Sequence, residues 1–176
     1  MKKRRMIFKA FISSQFSYCP LVWMFHKREL NNRINRLHER SLRLVYQEQS
    51  SLLSFEELLL IDKSVTIHQR NLQFLAIEIF KMVNGLSPKI MDDVLQVVKP
   101  AYELRNTSIL RKFNVKTVQY GTESIYFLAP KIWDLVPTHI KCETKLESFK
   151  IKIKSWKCID CPCRLCKTYI GQVGFI

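Results

Sequence analysis

Glycine and acidic residues are what this sequence is short of. Four glycines occur in 176 residues, which leaves little room for a Gly-rich phosphate cradle, and no P-loop spacing is present. No window reaches the ~20 consecutive apolar residues that a membrane span requires. The opening residues, from Met1-Lys2-Lys3-Arg4-Arg5 to Ile12, have the positive-then-apolar order of a signal peptide. Lys9 interrupts that apolar run and Gln15 ends it, so no true h-region forms. The chain therefore reads as intracellular, in nucleus or cytoplasm, where thiols stay reduced and clustered cysteines mean metal more often than disulfide. Acids number 15 against 29 Lys and Arg, a formal charge of +14. Such an excess repels itself unless a polyanion or anionic surface neutralises it. Nucleic acid is the usual partner, although lipid headgroups and acidic proteins satisfy the same physics.

What is present is globular. Hydrophobic residues make up 47% and charged residues 25%, values of a folded chain rather than a disordered one. A chain of this length suits one ordinary domain with a small appendage. It can bury about two thirds of its unfolded surface.

Helical spacing dominates the first hundred residues. Phe8, Ile12 and Phe16 recur at i+4, with Phe11 beside them, predicting a helix up to Tyr18 that Pro20 breaks. A second helix begins near Lys27 or Glu29, with Leu30, Ile34, Leu37, Ser41 and Leu44 on its predicted apolar face. Arg33, Arg36, Arg40 and Arg43 fall within an arc of roughly 80° that flanks this face and does not lie opposite it. Ser54-Phe55-Glu56-Glu57 is a capping box, with Leu53 and Leu58 placed to staple it. Thr66-Ile67-His68-Gln69 repeats the pattern. Behind it Leu72, Leu75, Ile79 and Met82 form a stripe that Asn84-Gly85 stops. Ser87-Pro88 supplies an N-cap and an N1 proline for a helix through Val98.

The second part of the chain is more mixed. Val115 to Tyr120 is a β-propensity run, Gly121 allows a turn, and Ser124-Ile125-Tyr126-Phe127-Leu128 is a second extended candidate, so a small hairpin is predicted. Ala129-Pro130 starts a short helix with Ile132, Trp133 and Val136. Thr144-Lys145-Leu146-Glu147 is a third capping box, before a helix that sets Leu146, Phe149, Ile153 and Trp156 on one stripe and Lys150, Lys152, Lys154 and Lys157 around it.

Two constellations carry chemistry. Cys158, Cys161, Cys163 and Cys166 place four thiols in nine residues. A C-x2-C knuckle lets two thiolates reach one zinc ion, and four complete a tetrahedral structural site. The linker between the knuckles is a single proline, against a dozen or so residues in most such sites. A metal that takes only two or three of these thiols has Cys142 or His139 as a further donor. The bland alternative is a tail whose thiols are incidental, and an iron–sulfur site fits the spacing least. The second constellation is the arginine row Arg33, Arg36, Arg40 and Arg43 together with Lys150, Lys152, Lys154 and Lys157. Both sets suit binding to phosphate, by bidentate guanidinium pairs and by ammonium point charges. Only Glu29 and Glu39 stand in register with the arginines. The alternative is a solvated helix face. No catalytic machinery is evident. His26, His38, His68 and His139 are isolated, and Cys19 has no His–acid partner. Asp92-Asp93 imitates a polymerase carboxylate pair but sits just inside a Ser-Pro helix start, where acids favour the N-terminus.

Several stretches together resemble the region after the palm of LINE-type, jockey-like non-LTR retrotransposon reverse transcriptases. Phe16-Ser17-Tyr18-Cys19-Pro20-Leu21-Val22-Trp23 resembles the family's aromatic-x-x-P-x-x-W segment, with Tyr18 one residue closer to Pro20 than that pattern asks. Leu37 to Val45 resembles its Q-x-R-A-L-R helix, and Ser64 to Leu86 its R-x-x-x-L…K-x-x-N-G helix through Arg70, Leu72, Lys81, Asn84 and Gly85. Leu104-Arg105-Asn106, Gly121-Thr122-Glu123-Ser124 and Ala129-Pro130-Lys131-Ile132-Trp133-Asp134-Leu135-Val136-Pro137 match the post-polymerase stretch, and Phe149-Lys150 opens the terminal basic helix. The resemblance covers nearly the whole chain. It implies thumb-like helices over 1–100, a post-polymerase region over 101–157 and a Cys-rich tail over 158–176. The fingers, the palm with its catalytic carboxylates and any endonuclease are missing, so holding RNA or DNA template–primer duplex carries over and polymerase activity does not. The expectation is a mainly α helical bundle with a small β-hairpin and a basic Cys-rich tail. It is not an enzyme, binds nucleic acid and no membrane, carries a structural zinc ion, and partners the absent palm and fingers. The rivals are a helical protein-interaction module and a non-functional transposon-derived fragment.

Overall fold

The computed structural model describes residues 2–47, 52–98, 110–117 and 121–167. The Leu104-Arg105-Asn106 match and the tail after Lys167 lie outside the described residues. The chain is mainly helical, as its spacing predicted. It divides into two compact units, 1–71 and 72–176, and the division falls inside one uninterrupted helix, α5 (Ile67–Val83).

The first unit holds α1 (Lys2–Ile7), a π-helical turn (Phe8–Ser13), a 3-10 turn (Gln15–Ser17), α2 (Pro20–Trp23), α3 (Arg28–Val45) and α4 (Phe55–Asp62). Helix therefore starts earlier than the Phe8–Tyr18 stripe predicted. The wide turn, closed by i→i+5 bonds, takes Phe8 into the core and leaves Phe11 71% exposed. Phe8, Leu42, Val45, Tyr46, Leu58 and Leu59 form the core, with Ile12, Leu53 and Phe55 packed against it. The capping box of α4 forms as read: Glu57 N–H donates to Ser54 Oγ at 3.3 Å, and Ser54 N–H donates to the Glu57 carboxylate at 2.6 Å.

The face that α3 buries differs from the predicted one. Asn31, His38, Ser41, Leu42 and Val45 are buried, whereas Leu30, Leu37 and Leu44 are 46%, 52% and 61% exposed. At 100° per residue this rotates the buried face by roughly 75° from the leucine row. The cause is an aromatic box around His38. Its ring stacks on Phe8 at 6.1 Å and meets Phe16 at 6.3 Å and Phe55 edge-on at 5.6 Å. Asp62 is also buried. It accepts from Tyr46 Oη at 2.8 Å and pairs with Arg5 Nε at 2.9 Å.

The second unit takes in the rest of α5, then α6 (Ile90–Val94), α7 (Ile125–Asp134), α8 (Thr138–Lys141), α9 (Leu146–Ile153) and α10 (Arg164–Lys167). Helix α5 follows its prediction closely. Gln69 N–H donates to Thr66 Oγ1 at 3.2 Å, Leu72, Leu75, Ile79 and Met82 are buried, and Gly85 ends the helix at φ +68, a conformation that favours glycine. The core stacks Phe80 on Phe149 at 4.2 Å, with Trp133 at 6.1 Å from Phe149.

Three local expectations fail here. Among the described residues the hairpin is not formed, and the extended pairing is one antiparallel bridge, Val97 to Leu110. Ile125–Leu128 is helical. Its β-branched and aromatic residues continue the spacing that buries Leu128, Ala129, Ile132 and Trp133, and tertiary burial overrides strand propensity. Val115–Thr117 is irregular, and 118–120 lie outside the described residues. Pro130 falls inside α7; the Tyr126 carbonyl it deprives belongs to an exposed residue, where water can serve it. The Ser87-Pro88 start is replaced by Ile90 behind Lys89, and α6 stops at Val94 because extended Leu95 buries its side chain. Thr144 does not cap α9. Lys145 holds the N-cap position without a side-chain bond, and the helix ends at Ile153. Trp156 is buried all the same, held where Gln73 Nε2 donates to Lys154 O at 3.1 Å and to Trp156 O at 2.9 Å.

Candidate nucleic-acid interface and metal group

The rotation of α3 moves its arginines. Measured from the buried face, Arg33, Arg36, Arg40 and Arg43 now centre roughly 180° away, on the outer side of the helix. They lie opposite the core, where the sequence had placed them on its flank. Arg33, Arg36 and Arg40 are exposed and make no ion pair among the described residues. Arg43 is different. It is half-buried, pairs with Glu39 at 2.7 Å and donates to Leu53 O at 2.9 Å, so it fastens the chain ahead of α4.

The predicted lysine set is partly neutralised. Lys150 pairs with Glu147 at 2.7 Å, and Lys152 pairs with Glu143. Lys154 and Lys157 are exposed and stand beyond the end of α9. The surface with uncompensated cations in a row is therefore α3, not α9.

The cysteine tail folds into a tight cluster. Cys161 and Cys163 are buried; Cys158 and Cys166 are half-buried, and none is in a disulfide. Pro162 separates Cys161 from Cys163. Cys163 precedes α10, and the Cys166 N–H donates to Cys163 O at 3.2 Å, which brings the two thiols within one helical turn. Hydrogen bonds with Cys161 and Cys163, then burial, push the Cys166 thiol up; a hydrogen bond with Cys161, then burial, does the same to Cys158. Thiols crowded this way resist ionising together unless a cation joins them.

Such a cation has a fitting donor set. His68, Cys161, Cys163 and Cys166 could hold a metal ion, with one ligand atom of each within 4.8 Å of the others. His68 stands on the first turn of α5 and is half-buried as a residue, with its Nδ1 shielded from solvent. The same helix carries Gln73, whose amide binds the carbonyls of Lys154 and Trp156 just ahead of the cysteines. Cys158, predicted as a ligand, is not in this set, and His139 and Cys142 are exposed on and after α8. Sequence reasoning missed His68 because no spacing rule connects it to a knuckle that begins after residue 157. The available signal was weak: a histidine just inside a capping-box helix start.

Two buried titratable groups in the first unit are structural. Burial, then the charge of Arg70, lowers His38 to about 4. Burial, then its hydrogen bond to Asp62, raises Tyr46. Neither lines an opening with a nucleophile or a second acid, and no nucleophile–base pair stands among the described residues. No helix among the described residues is long and apolar enough to cross a membrane. Comparison with protein-family models, with curated proteins and with solved structures finds no match for this chain.

Proposed function

We propose that the chain is a non-catalytic nucleic-acid-binding piece of a LINE-type reverse transcriptase, whose thumb-like helices hold template–primer duplex beside a palm and fingers that this sequence lacks. The family assignment rests on the ordered motifs of the sequence. The observation that carries the binding reading is the outward row Arg33, Arg36 and Arg40. From Arg33 to Arg40 the helix rises about 10 Å, the axial span of about three phosphates of one strand at about 3.4 Å each. Guanidinium groups suit that backbone because they bond phosphate bidentately. The cofactor in this reading is a structural zinc ion in the histidine–cysteine group.

Binding of the full chain to an RNA–DNA primer–template duplex over a salt series tests the reading. Affinity should fall steeply with salt. Replacing Arg33, Arg36 and Arg40 together by alanine should flatten the log–log slope by about 2.7, at about 0.9 for each phosphate no longer neutralised. An unchanged slope removes α3 from the interface, and no duplex binding at low salt sinks the proposal. The rival, a helical protein-interaction module, is favoured by exposed Leu30, Leu37 and Leu44 beside the arginines.

A further inference from the structure

The tail offers five donors for four positions, once His68 is counted with Cys158, Cys161, Cys163 and Cys166. Three sulfurs and an imidazole nitrogen are soft to borderline ligands, and no carboxylate belongs to the set. Such donors select zinc over calcium, magnesium or manganese. The geometry fits one ion. Ligands at about 2.0–2.3 Å from a tetrahedral centre stand about 3.3–3.8 Å apart, and the four ligand atoms already lie within 4.8 Å of one another. A contraction of about an ångström closes the shell, without a carboxylate or a water.

The choice among the donors follows from the backbone. Cys161, Cys163 and Cys166 converge because proline and the short helix α10 fold the chain back on itself. Cys158 comes before the bend at Ile159-Asp160 and is outside the 4.8 Å set. His68 is held by a long helix, so its imidazole is presented at little entropic cost. We propose that one zinc ion is bound by His68, Cys161, Cys163 and Cys166, with Cys158 outside the coordination shell. This deepens the zinc reading above and rests on it. Four protein ligands leave no position for a substrate, so the site is structural.

The test uses the full chain, without nucleic acid, stripped by chelator and titrated with zinc against a chromophoric competitor and with cobalt(II). One equivalent should bind, with the cobalt spectrum of a tetrahedral three-sulfur, one-nitrogen centre. Cys158→Ser should bind as the parent does. His68→Ala should bind at least about tenfold more weakly, and His68→Cys should restore affinity while shifting the spectrum to that of four thiolates. That spectral shift keeps the test decisive even if His68→Ala fails to fold. A parent chain that takes up no metal overturns the zinc reading itself. A parent that binds metal, with His68→Ala unaffected or Cys158→Ser impaired, overturns the ligand set alone.

Discussion

Acid should loosen the first unit through one residue. His38 is 4% exposed, inside the box of Phe8, Phe16 and Phe55. Burial first, and then the Arg70 guanidinium, hold its imidazole at about 4 against an ordinary 6.5. The folded value is the lower one, so between the two the unfolded chain binds more protons and stability rises with pH. His38 therefore costs nothing above about pH 6.5, and its penalty grows as pH falls toward 4. About 2.5 pH units at about 1.36 kcal/mol each give about 3 kcal/mol in full, of which about 2 kcal/mol is present at about pH 5. That is a large share of the roughly 5–15 kcal/mol typical of a domain. Urea unfolding between about pH 7 and pH 5 should reveal it, with chelator present so that metal release does not contribute. Burial also lowers His26, which adds a loss of the same sign, so the control is His38→Phe. This variant keeps the aromatic box and removes the titrating group. Its stability should drop by about 2 kcal/mol less than the parent's over the same interval. Equal drops in parent and variant would refute the assignment, whatever the variant's absolute stability.

Two other hydrogen-bonded devices give measurable outcomes. Ser54→Ala removes one half of the α4 capping box and should cost about 1 kcal/mol in urea unfolding; no loss would mean that the leucine staple alone sets the start of α4. Gln73→Ala strips two carbonyls, Lys154 O and Trp156 O, of their donor and should cost about 1–2 kcal/mol per carbonyl left buried. A red shift of tryptophan emission should accompany the loss as Trp156 gains water, and unchanged emission would argue against this anchor.

How much of the fold was legible in the sequence depends on which force decided each element. Where a local device decides, the residues spell it out: Ser54 and Glu57 cap α4, and Asn84-Gly85 ends α5 behind its Leu72–Met82 stripe. Where two faces compete, hydrophobicity misled. Leu30, Leu37 and Leu44 are more apolar than Asn31, His38 and Ser41, yet α3 buries the latter. A histidine between phenylalanines and a serine whose Oγ donates to the Leu37 carbonyl at 2.7 Å tolerate burial, and residue-by-residue hydropathy does not register such partners. The hairpin failed for a related reason. Ile125-Tyr126-Phe127-Leu128 has the composition of a strand, but the helix that Trp133 and Ile132 need extends backward through it. In the candidate metal group, the cysteines announced themselves by spacing. His68 did not, because its relation to them exists only after folding.

Two hydrogen bonds of the first unit bear on the order in which it assembles. Arg5 donates to Asp62 O, and Arg70 donates to Ser13 Oγ, and each bond joins residues 57 apart in sequence. The α3–α4 pairing needs only the short connection between them. Closing a long loop costs more entropy than closing a short one, and pairings distant in sequence form late. Helices α3 and α4 therefore collapse first around Leu42 and Leu58, and the segment from α1 through the π turn docks afterwards on a surface already made. The same order reversed describes its opening: amide exchange in α1 should report a partial unfolding in which the N-terminal segment leaves while the α3–α4 pair stays closed.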